Sequence, residues 1–226
     1  YGLVGSEMCI RDSLSTEKIS AMCFRTKLNS RIRDIEKTFD SAFIEPEAYT
    51  PQQEINGFDF ARTPVITDEN RGEIQMFNWG LIPYWAKDDK IKKMTLNAKI
   101  ETVTEKPAFR NSITNRCLII ADGFYEWQWK DPKGKEKQKY FLFPKDQEIF
   151  AFAGIYSAWT SPQTGEHLNS YSILTTEANE LMSEIHNNKK RMPVILKKED
   201  HDNWLKGMDV TRVAFPYEVA LTARPV

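Results

Sequence analysis

Three cysteines, three histidines and no surplus of either charge in 226 residues set the first limits on this chain. Cys9, Cys23 and Cys117 are too few and too scattered for a disulfide scaffold or a metal cluster. No CxxC or HExxH pattern exists and the histidines lie far apart, so neither a metal nor another cofactor is expected. So little cysteine fits a reduced, intracellular (cytoplasmic) protein. Lys and Arg number 31 against 32 Asp and Glu. That balance excludes a generally basic nucleic-acid coat while leaving room for a local basic groove. No apolar run approaches the roughly 18–20 residues of a membrane span, and residues 1–21 lack the apolar core of about 7–15 residues that a secretory signal needs.

What is present points to a packed globular protein. Hydrophobic residues make up 41% of the chain, with six Trp and thirteen Phe, a content that disordered chains do not reach. The length suits one large domain or two small ones. With no linker and no internal repeat, the simplest account is a single α+β domain: mainly antiparallel strands, barrel-like, with a few flanking helices.

Residues 1–21 differ from everything after them. Their GLVGSEMCIRDS portion resembles a translated sequencing-adapter fragment, so 1–21 read as a non-native extension and 22–226 as the domain; a genuine disordered tail is the alternative. From Asn29 the pattern turns helical, with Asn29 or Ser30 as cap and Ile32, Ile35 and Phe39 on one stripe. Strands are expected over 64–67, 73–79, 116–121, 124–130, 139–143, 149–159 and 168–174, and extended chain over 191–196. Asp122-Gly123 and Asp131-Pro132-Lys133-Gly134 read as turns. Short helices are expected over 105–113, over a stretch capped by Thr176 and ending at His186, and over 199–206; the tail from Val210 reads as strand. Trp79-Gly-Leu-Ile-Pro-Tyr-Trp85 is an aromatic-rich loop.

Several segments, taken in order, carry a resemblance. They are Met22-Cys23-x-Arg25, Trp79-Gly-Leu-Ile-Pro83 with Trp85-Ala-Lys87, Asn97-Ala-Lys99-x-Glu101-Thr102, and Lys106-Pro-Ala-Phe-Arg110. After them come Arg116-Cys-Leu-Ile-Ile-Ala-Asp-Gly-Phe-Tyr-Glu-Trp127, Phe152-Ala-Gly-Ile-Tyr-Ser-Ala-Trp159, and His186 ahead of Arg191-Met-Pro-Val-Ile-Leu196. From Met22 to about Leu196 the chain resembles the SOS-response-associated peptidase (SRAP) family, whose members protect abasic sites in single-stranded DNA. No single motif is decisive; together, in the right order, they are.

The resemblance implies that Met22 is removed and that Cys23, as the new first residue, bonds covalently to the ring-opened aldehyde of an abasic deoxyribose. The chemistry is sound. An α-amine with a pKa of about 7.7–8.0 is roughly one-tenth neutral at pH 7. That fraction attacks the aldehyde to give an imine, and the thiol on the adjacent carbon closes a five-membered thiazolidine. The second step is intramolecular, where effective molarities reach on the order of 10⁵ M. An internal cysteine has no such amine.

The resemblance also assigns partners. Glu126 matches the family's catalytic glutamate; among Phe124, Tyr125 and Trp127, partial desolvation would suit it to proton transfer, although a lone strand Glu is more often a surface residue. His186 matches the family's histidine, placed to donate a proton to the departing sugar oxygen. Two more residues separate it from Arg191 than in the shortest family pattern. Asn97 matches the family's active-site asparagine, an amide that both donates and accepts. Arg25 and Arg191 match phosphate-contacting positions, and Lys99 stands where the usual motif has Arg, exchanging a planar fork for a point charge. Phe24 replaces the commoner Gly. Trp79 and Trp85 are candidates for stacking on exposed bases, with core burial the alternative for each. Cys117 reads as a small buried hydrophobe.

The expected partner is therefore single-stranded DNA with abasic sites, bound by a monomer. Two other readings remain open. One is a cysteine peptidase using Cys23, His186 and Asn97, which need cut only its own Met22–Cys23 bond. The other is a module that binds damaged DNA reversibly, with a salt dependence set by Arg25, Lys99 and Arg191.

Overall fold

The computed structural model of the protein describes residues 24–226. Cys23, Met22 and the extension before them lie outside the described residues.

In chain order the strands are β1 (Arg25–Leu28), β2 (Ala42–Phe43), β3 (Gln52–Asn56), β4 (Arg62–Thr67), β5 (Glu73–Trp79), β6 (Asn97–Lys99), β7 (Arg116–Ala121), β8 (Gly123–Trp129), β9 (Lys137–Pro144), β10 (Phe150–Thr160), β11 (His167–Glu177), β12 (Arg191–Pro193) and β13 (Leu221–Pro225). Three short helices join them: α1 (Ile32–Phe39), α2 (Glu180–Ile185) and α3 (His201–Leu205).

Strands β11, β10, β7, β4 and β5 pair in that order, and β5 pairs back onto β11 in parallel, which closes a five-stranded barrel. Closure removes the open edges of these strands. Every residue of β7 is buried, as are Phe150 through Ser157 of β10, which explains why both read as unbroken apolar runs rather than alternating ones. Close packing also explains Gly154. A Cβ there would come within 2.4 Å of Ile119 Cδ1 and 2.7 Å of Cys117 Sγ, so only glycine lets β10 lie against β7. Cys117 itself is fully buried in the core, and burial pushes its thiol pKa well above the ordinary value.

A second, antiparallel sheet runs β13-β9-β8-β1-β3. Along β8, Phe124 and Glu126 are buried while Tyr125 and Trp127 are half-buried, the alternation expected of a strand with one face inward. The Phe124 ring meets Phe152 of β10 edge-on at 5.9 Å, so the face that carries Glu126 turns toward the barrel. The α+β, mainly antiparallel, barrel-like expectation agrees with this architecture.

Several local expectations are corrected. Asn29 and Ser30 do not cap α1: its N-cap is Arg31, while the Asn29 N–H (2.6 Å) and the Ser30 hydroxyl (3.0 Å) both donate to the Asp122 carboxylate. Asp122-Gly123 is not a hairpin turn but the point where the chain crosses from the barrel to the second sheet. Thr176 lies within β11, and α2 starts three residues later with Asn179, whose side-chain oxygen accepts from the Met182 N–H at 2.9 Å. The stretch 105–113 yields one 3-10 turn, Arg110–Ser112, after a series of turns. The tail from Val210 begins as a 3-10 turn and becomes strand only at Leu221.

Candidate active site at the junction of the two sheets

β11 outruns the barrel, and its second half collects new neighbours. On one edge β6 runs parallel to it (Ile173 opposite Asn97, Thr175 opposite Lys99); on the other β12 runs antiparallel (Thr175 opposite Pro193, Glu177 opposite Arg191). By strand alternation, Asn97, Lys99, Thr175 and Arg191 lie on one face of this three-stranded extension.

Arg191 is fixed there firmly. Its Nη1 and Nη2 donate to Glu101 Oε1 and Oε2 at 2.6 and 2.8 Å, a bidentate fork, and Nη2 also donates to the Thr175 carbonyl at 2.8 Å. Partial burial alone would raise the Glu101 pKa; the hydrogen bonds and charge of Arg191, with Lys99 nearby, outweigh it and hold the carboxyl low. Glu101 was visible in the sequence only as part of a motif, without a role. No spacing signal would have found it, because Glu101 lies in the turn that follows β6 rather than in the strand.

Helix α2 ties this extension to the second sheet. Its C-cap is His186, only 5% exposed, and the His186 Nδ1–H donates to the Arg191 carbonyl at 2.9 Å. A carbonyl oxygen only accepts, so this contact assigns the proton to Nδ1 and leaves Nε2 as the nitrogen able to accept or carry a second proton. On its other side α2 is bound to β8. Gln128 Nε2 donates to the Glu184 carbonyl at 3.0 Å, and Asn187 exchanges two hydrogen bonds with the Trp129 backbone. Glu126 is on β8 two residues before Gln128, on the same face, and 3% exposed. Asn97, Glu126 and His186 thus stand on three elements that α2 and β11 link together.

Arg25 is placed differently. It lies over the rings of Phe24 and Trp127 at 5.7 and 5.8 Å and pairs with Glu54, which also accepts from Lys139 Nζ at 2.5 Å. Burial alone would raise the Glu54 pKa, but the bonds from Lys139 and Arg25 keep it low. Trp127 neighbours Glu126 in β8, so Arg25 is on the opposite face of that sheet from the carboxylate. The Phe24 ring stacks on Trp127 at 5.3 Å with the planes 4° apart.

The two tryptophans part company. Trp79 is fully buried, its Nε1–H donating to the Leu96 carbonyl at 2.9 Å, and offers no face to a base; the expectation of stacking is corrected to a core role for this residue. Gly80, at φ +113°, then turns the chain out of the barrel. Trp85 is 46% exposed and Tyr84 beside it 65% exposed, on a loop held down by Ile82 and by a bond from Trp159 Nε1 to the Ala86 carbonyl at 2.8 Å. Lys99 is exposed on the face shared with Asn97. Among the described residues no three His, Cys, Asp or Glu side chains come together as metal ligands, and no helix is long and apolar enough to cross a membrane.

A closed barrel with a second sheet packed beside it is a fold shared with solved proteins. A Bacteroides thetaiotaomicron protein superimposes with a TM-score of 0.82 at 34% identity, over 90% of this chain and 92% of that one. A Bordetella bronchiseptica protein shares the fold alone, with a TM-score of 0.75 at 24% identity over 90% and 99% of the two chains. The family described as SOS response associated peptidase (SRAP) matches residues 22–226, and the chain belongs to that family. Abasic site processing protein YoqW of Bacillus subtilis is 42% identical over 186 residues, 81% of this chain and 80% of that protein. Abasic site processing protein HMCES of Gallus gallus is 33% identical over 167 residues, 63% of this chain and 48% of its own longer one.

Proposed function

We propose that this protein processes abasic sites in single-stranded DNA by bonding them covalently to Cys23, exposed as the N-terminal residue when Met22 is removed, and that residues 1–21 are no part of the functional protein. The observation that supports the reading is the buried Glu126 carboxylate in β8, a strand that pairs with β1 (Thr26 opposite Phe124), the first strand after Cys23 in the chain. The names of the relatives YoqW and HMCES support the substrate.

The steps follow from the groups. The closed abasic sugar opens as its C1′–O4′ bond breaks; O4′ takes a proton, the C1′ hydroxyl gives one up to solvent, and C1′ becomes an aldehyde. His186 is the donor to O4′ through Nε2, since Nδ1–H is committed to the Arg191 carbonyl. The neutral Cys23 amine adds to the aldehyde carbon, and Glu126 carries protons as the carbinolamine loses water to give an imine. The Cys23 sulfur adds to the imine carbon and the nitrogen takes up the thiol proton, closing the thiazolidine with one water released overall. Asn97 holds the sugar by donating and accepting at once. Lys99 supplies a phosphate contact and Trp85 a stacking ring, while Arg25 and Arg191 add positive charge from within their ion pairs with Glu54 and Glu101. The only peptide bond this scheme breaks is Met22–Cys23.

The test compares the 1–226 chain with one that begins at Met22. Each is incubated with single-stranded DNA carrying one abasic site and resolved by denaturing electrophoresis and intact mass. The shorter chain should lose Met22 and give a shifted band absent from Cys23→Ala protein. Equal crosslinking by an untrimmed 1–226 chain would refute the free-amine mechanism.

A further inference from the structure

Arg191 belongs to the site by its position, yet both ends of its guanidinium are already spent within the protein, and its side chain is only 12% exposed. Its other contact is through the backbone: the Arg191 carbonyl accepts the Nδ1–H of His186. The turn between them, residues 187–190, is exposed, passes through Lys190 at φ 51°, and is held by the Lys190 N–H to the His186 carbonyl (2.8 Å) and the Ala178 N–H to the Lys190 carbonyl (3.1 Å). Glu177 opposite Arg191 is the last pair of the β11–β12 ladder, where strands fray first. At this end of the ladder the Glu101 fork holds the Arg191 side chain, and the Arg191 carbonyl holds the imidazole. The Ile100 N–H donates to the same Thr175 carbonyl (2.9 Å) that receives Arg191 Nη2, so the strut is anchored to the strand segment that bears Asn97.

We propose that Glu101 is a positioning residue for His186, acting through Arg191: it fixes the imidazole tautomer and orientation and keeps His186 in register with Asn97. The inference rests on the proposed abasic-site chemistry. It differs from a phosphate-contact role for Arg191 in the sign of one effect. Were Arg191 chiefly a phosphate ligand, Glu101 would compete with DNA for it, and neutralising Glu101 would tighten binding. Acting as a strut, Arg191 loses alignment without Glu101, and the covalent step slows while affinity for undamaged DNA stays level.

The experiment uses Glu101→Gln, His186→Ala and the double variant, each in the protein that begins at Met22. It measures single-turnover crosslinking to abasic single-stranded DNA across pH, binding of an undamaged strand, and the imidazole ¹⁵N signals of His186. Glu101→Gln should slow crosslinking roughly 10- to 100-fold with undamaged-strand affinity within about twofold. It should also weaken the Nδ1–H signature. In the double variant Glu101→Gln should add little to the loss caused by His186→Ala, because it acts only through that imidazole. Glu101→Asp, which keeps the charge, should recover part of the rate. Three results would overturn the proposal: unchanged His186 signals in Glu101→Gln, multiplicative rate losses in the double variant, or tighter DNA binding at an unchanged rate. If the wild-type protein forms no crosslink at all, the proposed chemistry fails first; the ¹⁵N signals still decide whether Glu101 sets the imidazole.

Discussion

Asn187 and Trp129 exchange hydrogen bonds across the junction of the two sheets: the Trp129 N–H donates to Asn187 Oδ1 at 3.0 Å, and Asn187 Nδ2 donates to the Trp129 carbonyl at 2.9 Å. Asn187 mimics a strand partner for the last residue of β8. It sits in the turn between His186 and Arg191, so this turn contributes its own clamp, next in sequence to the histidine. Asn187→Ala removes both bonds at an exposed position, a loss of about 0.5–1.5 kcal/mol per bond at most. For a chain of this size the melting temperature should fall by a few degrees. Because the clamp docks α2 on β8, crosslinking should fall further than stability alone accounts for. A thermal melt beside a crosslinking time course checks both; an unchanged melt and rate would show that the pair holds nothing.

Gly123 is the entry to β8, three residues before Glu126. A Cβ there would stand 2.1 Å from Phe141 Cε2, and the Phe141 ring is hemmed in by Tyr125 at 5.2 Å and Phe143 at 5.4 Å. Gly123→Ala should thus destabilise by about 1–3 kcal/mol through overpacking. Gly72→Ala meets nothing within 4 Å and should be close to neutral. Denaturant midpoints of the two variants measure the contrast directly.

The strands of the barrel were legible because β7 and β10 are buried on both faces and read as apolar runs. The closure was not, because the parallel contact of Ser170 with Asn78 and of Tyr171 with Trp79 joins segments about ninety residues apart and leaves no local pattern. Helix boundaries failed where two residues could serve one purpose. Thr176 has capping chemistry, but its hydroxyl accepts from the Phe215 N–H at 2.9 Å, and Asn179 caps instead. In the candidate site, Asn97, Glu126 and His186 were singled out by resemblance because each sits in a distinctive motif. The Glu101–Arg191 fork and the Asn187 clamp were not, since each depends on a turn bringing distant backbone into reach. Trp79 ends β5 and Trp85 lies in the aromatic loop after it; what separates their roles is the Leu96 carbonyl, supplied well after both.

His201 gives the stability a pH dependence outside the site. Burial, with Lys198 adding to it, lowers its pKa from 6.5 to about 4 against the opposing pull of Asp200, Asp202 and Glu199. Its ring stacks on Phe39 of α1 at 5.5 Å. Between about pH 6.5 and pH 4 the unfolded chain holds this proton and the folded chain does not, so stability falls as the pH is lowered through that window. His201→Gln has no such proton to bind and should lose less stability on acidification over the same range. Urea midpoints from pH 7 to pH 4 for the two proteins provide the test, and parallel curves would exclude the assignment.

Trp79→Ala and Trp85→Ala should separate stability from DNA binding. Trp79 is fully buried, stacked near Tyr171 at 6.2 Å and bonded through Nε1 to the Leu96 carbonyl. Removing it leaves a cavity and takes one of two hydrogen bonds from the Leu96 carbonyl, a cost of about 3–5 kcal/mol. Trp85 is 46% exposed, and its loop is anchored by Ile82, Ala86 and Trp159 rather than by its own ring. Truncating it should leave the melting temperature nearly unchanged while weakening single-strand binding by about 1–3 kcal/mol per base stacked. The loss should be the same for mixed sequences, because stacking reads no base edge. Fluorescence anisotropy with an undamaged oligonucleotide, run beside thermal melts, distinguishes the two. If Trp85→Ala binds as tightly as the wild type, the exposed ring does not touch DNA, and the strand must cross the protein on the Lys99 side alone.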